Sequence, residues 1–315
     1  MLLYQWRGAE RNFGDELNAL LWPVLLPDFF DDDPGALFLG IGSVLDARHD
    51  QAVRKVVAGA GYGGYQPPPV LDARWTIHWV RGPCTARRLG LPEACGLGDP
   101  AMLLPLPRPE GLPLPSGEGG RAVGLMPHFE SLHLGAWREA AAAAGMTLLD
   151  PRGDPAAILA AITGCRLLLT EAMHGAIVAD ALRVPWIALR PLAAVHRPKW
   201  QDWAAALGLE VRFQVLRPSS LAEWLRASPL AATHRGGRLL AAAGPVLASV
   251  ARQRFIGHAT AGLIAAARAP PQLSDPVALD RCRTRMQERL QTLRCNPPRA
   301  APSALHRRAT SAYHG

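Results

Sequence analysis

Short apolar runs alternate along this chain with longer segments whose apolar residues recur three or four positions apart. A short apolar run is typical of a buried strand, and the longer spacing is typical of a helix with one buried face. Strands that alternate with helices in this way predict an α/β fold built on parallel sheets. The predicted strands are Leu2–Trp6, Ala36–Leu39, Val56–Ala58, Thr76–Val80, Val123–Met126, Thr147–Leu149, Leu167–Leu169, Trp186–Leu189 and Val211–Val215.

The helical segments have recognisable ends. Asp15 is predicted as the N-cap of the first helix, which carries leucines on one face and bends or ends near Pro23. A long alanine-rich helical stretch closes the pattern, and we expect it to brace the rest of the fold. The predicted helices after the first are Thr85–Leu89, Ala136–Ala144, Pro155–Ile162, Ala176–Leu182 and the stretch from about Leu239 to Ala267.

A proline- and glycine-rich segment divides the pattern into two halves. Residues 104–120 hold five prolines and four glycines, a composition typical of a surface linker. We therefore predict two Rossmann-like domains that face each other across a cleft. The predicted boundaries are 1–105 for the first domain, 106–121 for the linker, 122–268 for the second domain with its bracing helices, and 269–315 for a basic, flexible tail.

The composition is that of a globular protein, with 49% hydrophobic and 19% charged residues, and it excludes a chain that is disordered throughout. The net charge is +8, but residues 281–315 contain eight arginines and one acid, Glu288, so that segment alone carries +7. Because the body is nearly neutral, no nucleic-acid-binding domain is predicted. The basic segment fits either contact with anionic lipid headgroups or a solvated extension without a partner.

Cysteine usage and hydropathy indicate the compartment. The five cysteines include no Cys-x-x-Cys pair, so neither a disulfide framework nor a structural zinc site is predicted. Residues 1–15 lack the apolar core of a signal peptide, and no later apolar stretch is long enough to span a bilayer. We therefore expect a cytoplasmic protein.

The segment from Cys165 to Pro191 is predicted as strand, turn, helix and strand in succession. Ligands bind at the carboxyl ends of parallel strands, so Glu171, His174 and Arg190 are expected at a ligand-binding edge. His174 falls in the first turn of its helix, where free backbone N–H groups favour an anion.

Three glycine-containing turns and an arginine follow strands of the first half. The turns are at 11–15, 40–43 and 59–64, and Arg81 follows the predicted strand Thr76–Val80. None of the turns has the spacing of a P-loop or of a dinucleotide-binding fingerprint. Glycine turns nevertheless let a phosphate or a sugar approach the backbone, and their succession predicts that this edge also faces a ligand.

Several short motifs occur in order along the chain. They are Asn12-Phe-Gly-Asp-Glu-Leu17, Gly40-Ile-Gly-Ser43, Arg81-Gly-Pro-x-Thr-Ala86, Gly98-Asp-Pro-Ala101, Met126-Pro-His128, and Glu171-Ala-Met-His-Gly-Ala-Ile-Val-Ala-Asp-Ala-Leu182 with Val184-Pro-Trp-Ile187. Together they resemble the polysaccharide pyruvyl transferase family over roughly residues 1–205, and the resemblance depends on their order because each motif is weak alone.

The resemblance implies a glycosyltransferase-B-like fold of two Rossmann-like domains. It also implies an enzyme that uses phosphoenolpyruvate to place a pyruvate ketal on a sugar of a bacterial exopolysaccharide or cell-surface glycan, with the acceptor on the side of the first domain and the donor in the second. Many members carry an arginine two residues before the motif histidine, where this chain has Ala172. The donor's anionic groups are therefore left to other cations, and the candidates are Arg81, Arg190, Arg197 and Lys199.

This chemistry predicts individual roles. Protonation of the methylene carbon of phosphoenolpyruvate needs an acid that works near neutral pH, predicted as His174, with His128 as the alternative. The base for the attacking hydroxyl is predicted as Glu171 or Asp15. Phosphoenolpyruvate serves as co-substrate, and neither a cofactor nor a metal is predicted. The remaining predicted substrate-binding residues lie in the first motif and the glycine turns: Asn12, Gly14, Gly42, Ser43 and Gly61.

Two other functions fit the same pattern: a nucleotide-sugar-dependent glycosyltransferase, and a non-catalytic binding protein of a polysaccharide-assembly complex. The acceptor implied by the resemblance is a glycan or a lipid-linked oligosaccharide, so the basic segment at 281–315 is expected to hold the protein at the inner face of the membrane. Trp200 and Trp203 either stack on sugar rings or pack in the core.

Overall fold

The computed structural model describes residues 1–31, 33–105, 120–227 and 245–295. The predicted linker lies outside these residues except for positions 120 and 121, and the end of the predicted tail, 296–315, lies outside them as well. Within the described residues the strands form two sheets, all of whose paired strands are parallel, and helices alternate with the strands. The predicted α/β class with parallel sheets is therefore confirmed.

The first sheet has four strands in the order β1-β2-β3-β4. Phe38 pairs with Val56, and both side chains are buried, as are Leu39 and Val57 on the opposite face. Strands that are buried on both faces need a continuous apolar run, which explains why these segments were recognisable. The strands are β1 Leu2–Leu3, β2 Ala36–Leu39, β3 Arg54–Ala58 and β4 Trp75–Trp79.

The second sheet has five strands in the order β6-β5-β7-β8-β9. Its central strand β7 buries Leu168 and Leu169 completely. The last strand is shorter than the predicted Val211–Val215 because it lies at the sheet edge, where Val215 remains 68% exposed. The strands are β5 Ala122–Met126, β6 Thr147–Leu148, β7 Cys165–Thr170, β8 Trp186–Leu189 and β9 Phe213–Gln214.

Helices connect and cover the strands. Among those in the described residues, none combines the length and the hydropathy that crossing a bilayer demands. Three short 3-10 helices are Glu93–Cys95, Pro100–Leu103 and Ala194–His196. The α-helices are α1 Phe13–Leu25, α2 Pro83–Arg88, α3 Phe129–Leu134, α4 Trp137–Ala143, α5 Pro155–Thr163, α6 Met173–Ala181, α7 Arg197–Ala206, α8 Leu221–Ala227, α9 Pro245–Ala266 and α10 Pro276–Cys295.

Helix α1 begins earlier than predicted. Its N-cap position is Asn12 rather than Asp15, and Pro23 is accommodated within the helix, which continues to Leu25. The side chain of Asn12 donates to Asp15 Oδ2 at 2.6 Å. Asp15 therefore lies in the first helical turn, where its carboxylate is free to face a ligand instead of capping the helix.

The two halves of the chain pack directly against each other. Helix α1 contacts α5 and α6, and α2 contacts α7, so helices of the first half lie on helices of the second. One apolar core runs through both halves and includes Trp22 and Phe38 from the first and Ile177 and Trp186 from the second. The cleft between the sheets is thus closed at its base by a shared core.

Helix α10 corrects the prediction of a flexible tail from residue 269 onward. Its residues Met286 and Leu293 are fully buried. The guanidinium of Arg283 donates to the main-chain carbonyls of Met102 and Ala181, one from each half. Apolar residues at helical spacing, interspersed with the arginines, make this segment part of the packed structure. Three of its five arginines, Arg283, Arg285 and Arg294, donate hydrogen bonds to main-chain carbonyls.

Candidate active site

A cavity of about 270 Å³ lies between the carboxyl ends of the two sheets. The loops that follow β1, β2 and β3 line one side, and the loops that follow β5, β7 and β8 line the other. This is where parallel sheets bind ligands. The predicted site residues that line the cavity are Asn12, Asp15, Gly42, Ser43, His128, His174 and Lys199.

His174 is delivered to the cavity by the turn from β7 into α6, in which it is the second helical residue. Its Nε2 lies 3.4 Å from Oδ2 of Asp99, a side chain with no solvent exposure. Neither of these two buried atoms has a hydrogen-bond partner in the part of the chain that the structure describes. The imidazole therefore faces a carboxylate at Nε2 and lines the cavity with the 13% of its side chain that is exposed.

Gly14 lies against the Nδ1 edge of the His174 ring and does not itself line the cavity. A Cβ atom at this position would stand 1.9 Å from Nδ1 of His174, closer than any side chain could tolerate. Only glycine lets helix α1 approach the imidazole so closely. Gly14 therefore serves the site by making room for His174.

Asp15 faces the cavity from the first turn of α1. Burial raises the pKa of its carboxyl group, and the nearby His174 opposes that rise. Gly42, with φ +129°, turns beside it, and a Cβ there would lie 3.3 Å from Asp15 Oδ1. A carboxylate with a raised pKa accepts protons nearer neutral pH, which suits a general base.

Lys199, in the first turn of α7, supplies a cation to the cavity. Its ammonium group has no hydrogen-bond or ion-pair partner among the described residues. Burial and the neighbouring Arg81 lower the pKa of Lys199 to about 8, against the opposing influence of Asp15 and Glu130. An unpaired cation that burial destabilises is a binding group for an anion.

His128 ends β5 and caps α3, with its Nδ1 accepting from the main-chain N–H of Glu130 at 3.4 Å. Burial lowers the pKa of His128 to about 2, and Lys199 and His196 add to the effect. The ring is therefore neutral at physiological pH. A neutral imidazole has little capacity to donate a proton to carbon, which argues against His128 as the acid.

His128, Glu130 and His196 bring possible metal-ligand atoms within 4.8 Å of one another. The two imidazoles are stacked, with ring centroids 4.4 Å apart and an interplanar angle of 30°. Because nitrogen lone pairs lie in the ring plane, stacked rings do not direct both nitrogens at one ion. Hydrogen bonds explain the cluster instead: His196 Nε2 lies 3.2 Å from Glu130 Oε2, and the hydroxyl of Tyr65 lies 3.0 Å from His196 Nδ1. We assign no metal to it.

Glu171 was a predicted base, but the structure places its carboxylate outside the cavity. It accepts hydrogen bonds from the main-chain N–H groups of His128 and Leu192, at 2.9 and 2.8 Å, and from the hydroxyl of Ser131 at 2.9 Å. Burial raises the pKa of Glu171, and these hydrogen bonds oppose the rise. Its position corresponds to a brace that joins the loops after β5 and β8.

Arg81, a predicted donor-binding residue, is not among the residues that line the cavity. The side chain is completely buried, and Nε donates to Oδ2 of Asp202, in α7, at 3.0 Å. Nη1 donates to Ser43 Oγ at 2.7 Å. A Cβ at Gly61 would stand 2.2 Å from the guanidinium carbon, so this glycine makes room for Arg81. Arg81 is an ionic contact between the two halves rather than a free cation.

The two other predicted cations lie away from the cavity. Arg190 is exposed and borders a separate cavity beside Arg217. Arg197 places Nη2 3.4 Å from the main-chain oxygen of Pro191. Of the four predicted donor-binding cations, the structure brings Lys199 alone to the candidate site.

Of the two alternatives for Trp200 and Trp203, sugar stacking and core packing, the structure shows the second, because both side chains are fully buried in the core. Trp6 lines the cavity instead, together with Tyr65. Residues at i and i+3 on one helix share a face, and here that face is the buried one.

Sequence reasoning did not single out Asp99, Glu130 or His196 as functional. Asp99 lies in the motif Gly98-Asp-Pro-Ala101 and Glu130 lies two residues after His128, so each carried a local signal. His196 had none apart from its closeness to Lys199, because tertiary packing alone brings it to His128.

Comparison with known proteins adds to this geometry. The family profile described as Polysaccharide pyruvyl transferase matches residues 70–191, which include Asp99, His128 and His174. Succinoglycan biosynthesis protein ExoV of Rhizobium meliloti (strain 1021) is 34% identical over 316 aligned positions, which cover 92% of this chain and 98% of that protein.

Proposed function

The chain belongs to the polysaccharide pyruvyl transferase family, and on that premise we propose that it transfers pyruvate from phosphoenolpyruvate to a sugar of a bacterial exopolysaccharide or cell-surface glycan, forming a pyruvate ketal. The name of the similar protein refers to succinoglycan biosynthesis, which favours a polysaccharide as acceptor. The observation that carries the proposal is a single cavity that combines a carboxylate-backed histidine, His174, with an unpaired cation, Lys199.

The donor's chemistry matches these groups. Phosphoenolpyruvate is a trianionic enol phosphate, and Lys199 together with the free N–H groups at the start of α6 would bind its carboxylate and phosphate. His174 would protonate the methylene carbon, which leaves an oxocarbenium-like centre at the neighbouring carbon. A proton transfer of this kind contributes typically ~10²–10⁴-fold to the rate.

Two sugar hydroxyls complete the ketal. The first adds to the cationic carbon and gives its proton to Asp15, whose buried carboxylate lies across the cavity from the bases of the second half. Loss of phosphate regenerates a cationic carbon, and the second hydroxyl adds there with loss of its own proton. The balance is one phosphoenolpyruvate and one sugar diol giving one ketal and one phosphate.

We further propose that the two sheets belong to two Rossmann-like domains arranged as in glycosyltransferase-B proteins. Two parallel sheets whose carboxyl edges line one cavity support this arrangement. The predicted acceptor is a lipid-linked oligosaccharide, and contact with an anionic membrane would then fall mainly to residues 296–315, which hold three arginines and no acid.

The test is phosphate release from phosphoenolpyruvate in the presence of a panel of soluble and lipid-linked oligosaccharides, with the ketal methyl group of the product detected by NMR. We expect phosphate release and ketal formation in equal amounts. Transfer from a nucleotide sugar without phosphoenolpyruvate would replace the proposal with glycosyl transfer. Tight acceptor binding without turnover across the panel would indicate a non-catalytic binding protein.

A further inference from the structure

The strongest unexplained feature of the cavity is the buried carboxylate behind His174. We propose that Asp99 is a positioning residue, which holds the Nε2 proton of His174 so that the neutral ring is the Nε2-protonated tautomer and Nδ1 is the nitrogen that takes up a proton and then delivers it to the substrate. The kinetic part of this inference rests on the proposed function, whereas the tautomer does not.

The two carboxylate oxygens of Asp99 have different surroundings. Oδ1 accepts from the main-chain N–H of Ala101 at 3.0 Å and so caps the 3-10 helix Pro100–Leu103. Oδ2 is buried without a hydrogen bond and lies 3.4 Å from Nε2 of His174, which is equally without one among the described residues. A buried carboxylate oxygen without a donor is costly, so the imidazole N–H is the partner that the fold provides.

The separation of 3.4 Å is longer than an ordinary hydrogen bond. Hydrogen bonds between catalytic groups are often long in unliganded enzymes and shorten when substrate binds. The positive charge that His174 carries before it gives its proton to the substrate would strengthen the attraction to Asp99. The geometry therefore fits a contact that is completed in the working enzyme.

The carboxylate decides the tautomer because it only accepts hydrogen bonds. A neutral imidazole donates from one nitrogen and accepts at the other. With the proton on Nε2 facing Asp99, Nδ1 is left unprotonated on the opposite edge, beside Gly14. The side chain as a whole is 13% exposed and lines the cavity, and of its two ring nitrogens Nε2 is the buried one without a partner among the described residues.

The pair also spans the two halves of the molecule. Asp99 belongs to the first half and His174 to α6 of the second, and the 3-10 helix Pro100–Leu103 packs against α6. The catalytic imidazole is thus oriented only when the two halves are packed together.

Asparagine at position 99 gives a sharp test. Its amide oxygen would keep the place of Oδ1 on the N–H of Ala101, so the cap survives and the amide NH₂ group faces Nε2 of His174. An NH₂ group donates, so Nε2 must accept and the ring proton must move to Nδ1. Asp99→Asn therefore preserves the local structure and inverts the tautomer.

The experiment uses full-length protein labelled with ¹⁵N in histidine and long-range ¹H–¹⁵N spectra at a pH where the ring is neutral. The His174 signals are assigned by their loss in His174→Gln. We expect the proton on Nε2 in the wild type and on Nδ1 in Asp99→Asn. Asp180→Asn is the matched control, because it removes another fully buried carboxylate, on the same helix as His174, and should leave the tautomer unchanged.

A proton on Nδ1 in the wild type, or the same tautomer in both proteins, would overturn the proposal. The tautomer of His174 in the wild-type protein tests the proposal even if Asp99→Asn does not fold. In steady-state kinetics we expect Asp99→Asn to lower kcat roughly 10²-fold or more with little change in the donor KM. Added to His174→Gln, it should cause no further loss of kcat.

The two proposals fail differently. An inverted tautomer without pyruvyl transfer by the wild type would contradict the proposed function and leave the role of Asp99 standing. An unchanged tautomer in an active enzyme would contradict the role of Asp99 alone.

Discussion

The two sides of the cavity differ in the groups that they offer to a ligand. The first half presents Asp15 and Ser43, while its Arg48 is paired with Asp46. The second half presents His174 and Lys199, while its Glu130 lies beside His196. An anionic donor is bound by cations and helix N-termini, and a neutral sugar is bound by groups that accept hydrogen bonds from its hydroxyls. The difference supports a donor on the side of the second half and an acceptor on the side of the first.

A similar contrast separates Arg81 from Lys199. Both are cations at the ends of strands or the starts of helices, but Arg81 faces Asp202 across the boundary between the halves, and Lys199 faces the cavity without a partner among the described residues. A buried cation that is paired with a carboxylate stabilises the packing of the elements that carry them. A buried cation that has no such partner remains available to bind an anionic ligand.

The largest effect is expected from a substitution that removes the ionic contact between the two halves. Arg81→Met leaves the buried carboxylate of Asp202 unpaired and should lower the free energy of unfolding by about 3–5 kcal/mol, measured by urea denaturation. Arg87→Met is the control, because its pair with Glu93 is exposed and its loss should leave the free energy of unfolding nearly unchanged. If the Arg81→Met protein is as stable as the wild type but binds phosphoenolpyruvate more weakly, Arg81 is a donor-binding residue and not a packing contact.

The second effect concerns the acid on the side of the second half. His174→Gln should preserve the fold and lower turnover at least ~10²-fold, since glutamine cannot donate the proton that carbon requires. His133→Gln, which removes an exposed histidine paired with Glu10, should remain near normal. Near-normal turnover in a folded His174→Gln protein would contradict the assignment of His174 as the general acid.

The third effect tests the division between donor and acceptor sides. Lys199→Met should raise the donor KM roughly 10- to 100-fold, as expected for loss of a hydrogen bond to a charged group, with the acceptor KM within a few-fold of wild type. Asp15→Asn should lower kcat/KM for the acceptor and change donor binding little. If steady-state kinetics instead show that Lys199→Met weakens use of the acceptor and Asp15→Asn weakens donor binding, the donor lies on the side of the first half and the acceptor on the side of the second.

The smallest effect is a pH dependence of donor binding. Because burial lowers the pKa of Lys199 to about 8, the ammonium is charged below that pH and loses its charge as the pH rises through it. Calorimetric affinity for phosphoenolpyruvate should therefore fall as the pH rises through about 8, and Lys199→Met should lack this decline. An affinity that rises over the same interval would contradict the assignment of Lys199 as the anion-binding group.

Local pattern was enough to predict much of the fold. The buried strands, the turn from β7 into α6 and the position of His174 at the start of that helix follow from short apolar runs and their breaks. The prediction for α10 was wrong: its arginines are typical of a solvated tail, but its apolar residues recur at helical spacing and are buried. In this segment the spacing of the apolar residues, and not the charge, indicates the structure.

The sequence by itself determined the class of fold, the strand ends at which chemistry occurs and the residue types available there. Tertiary structure alone decided which of these side chains is free and which is paired. Arg81 finds Asp202 and His174 finds Asp99 across long stretches of chain, and only Lys199 reaches the cavity among the four predicted donor-binding cations. The physical reason is that spacing along the chain specifies local structure, whereas the partner of a charged group is specified by the packing of elements distant in sequence.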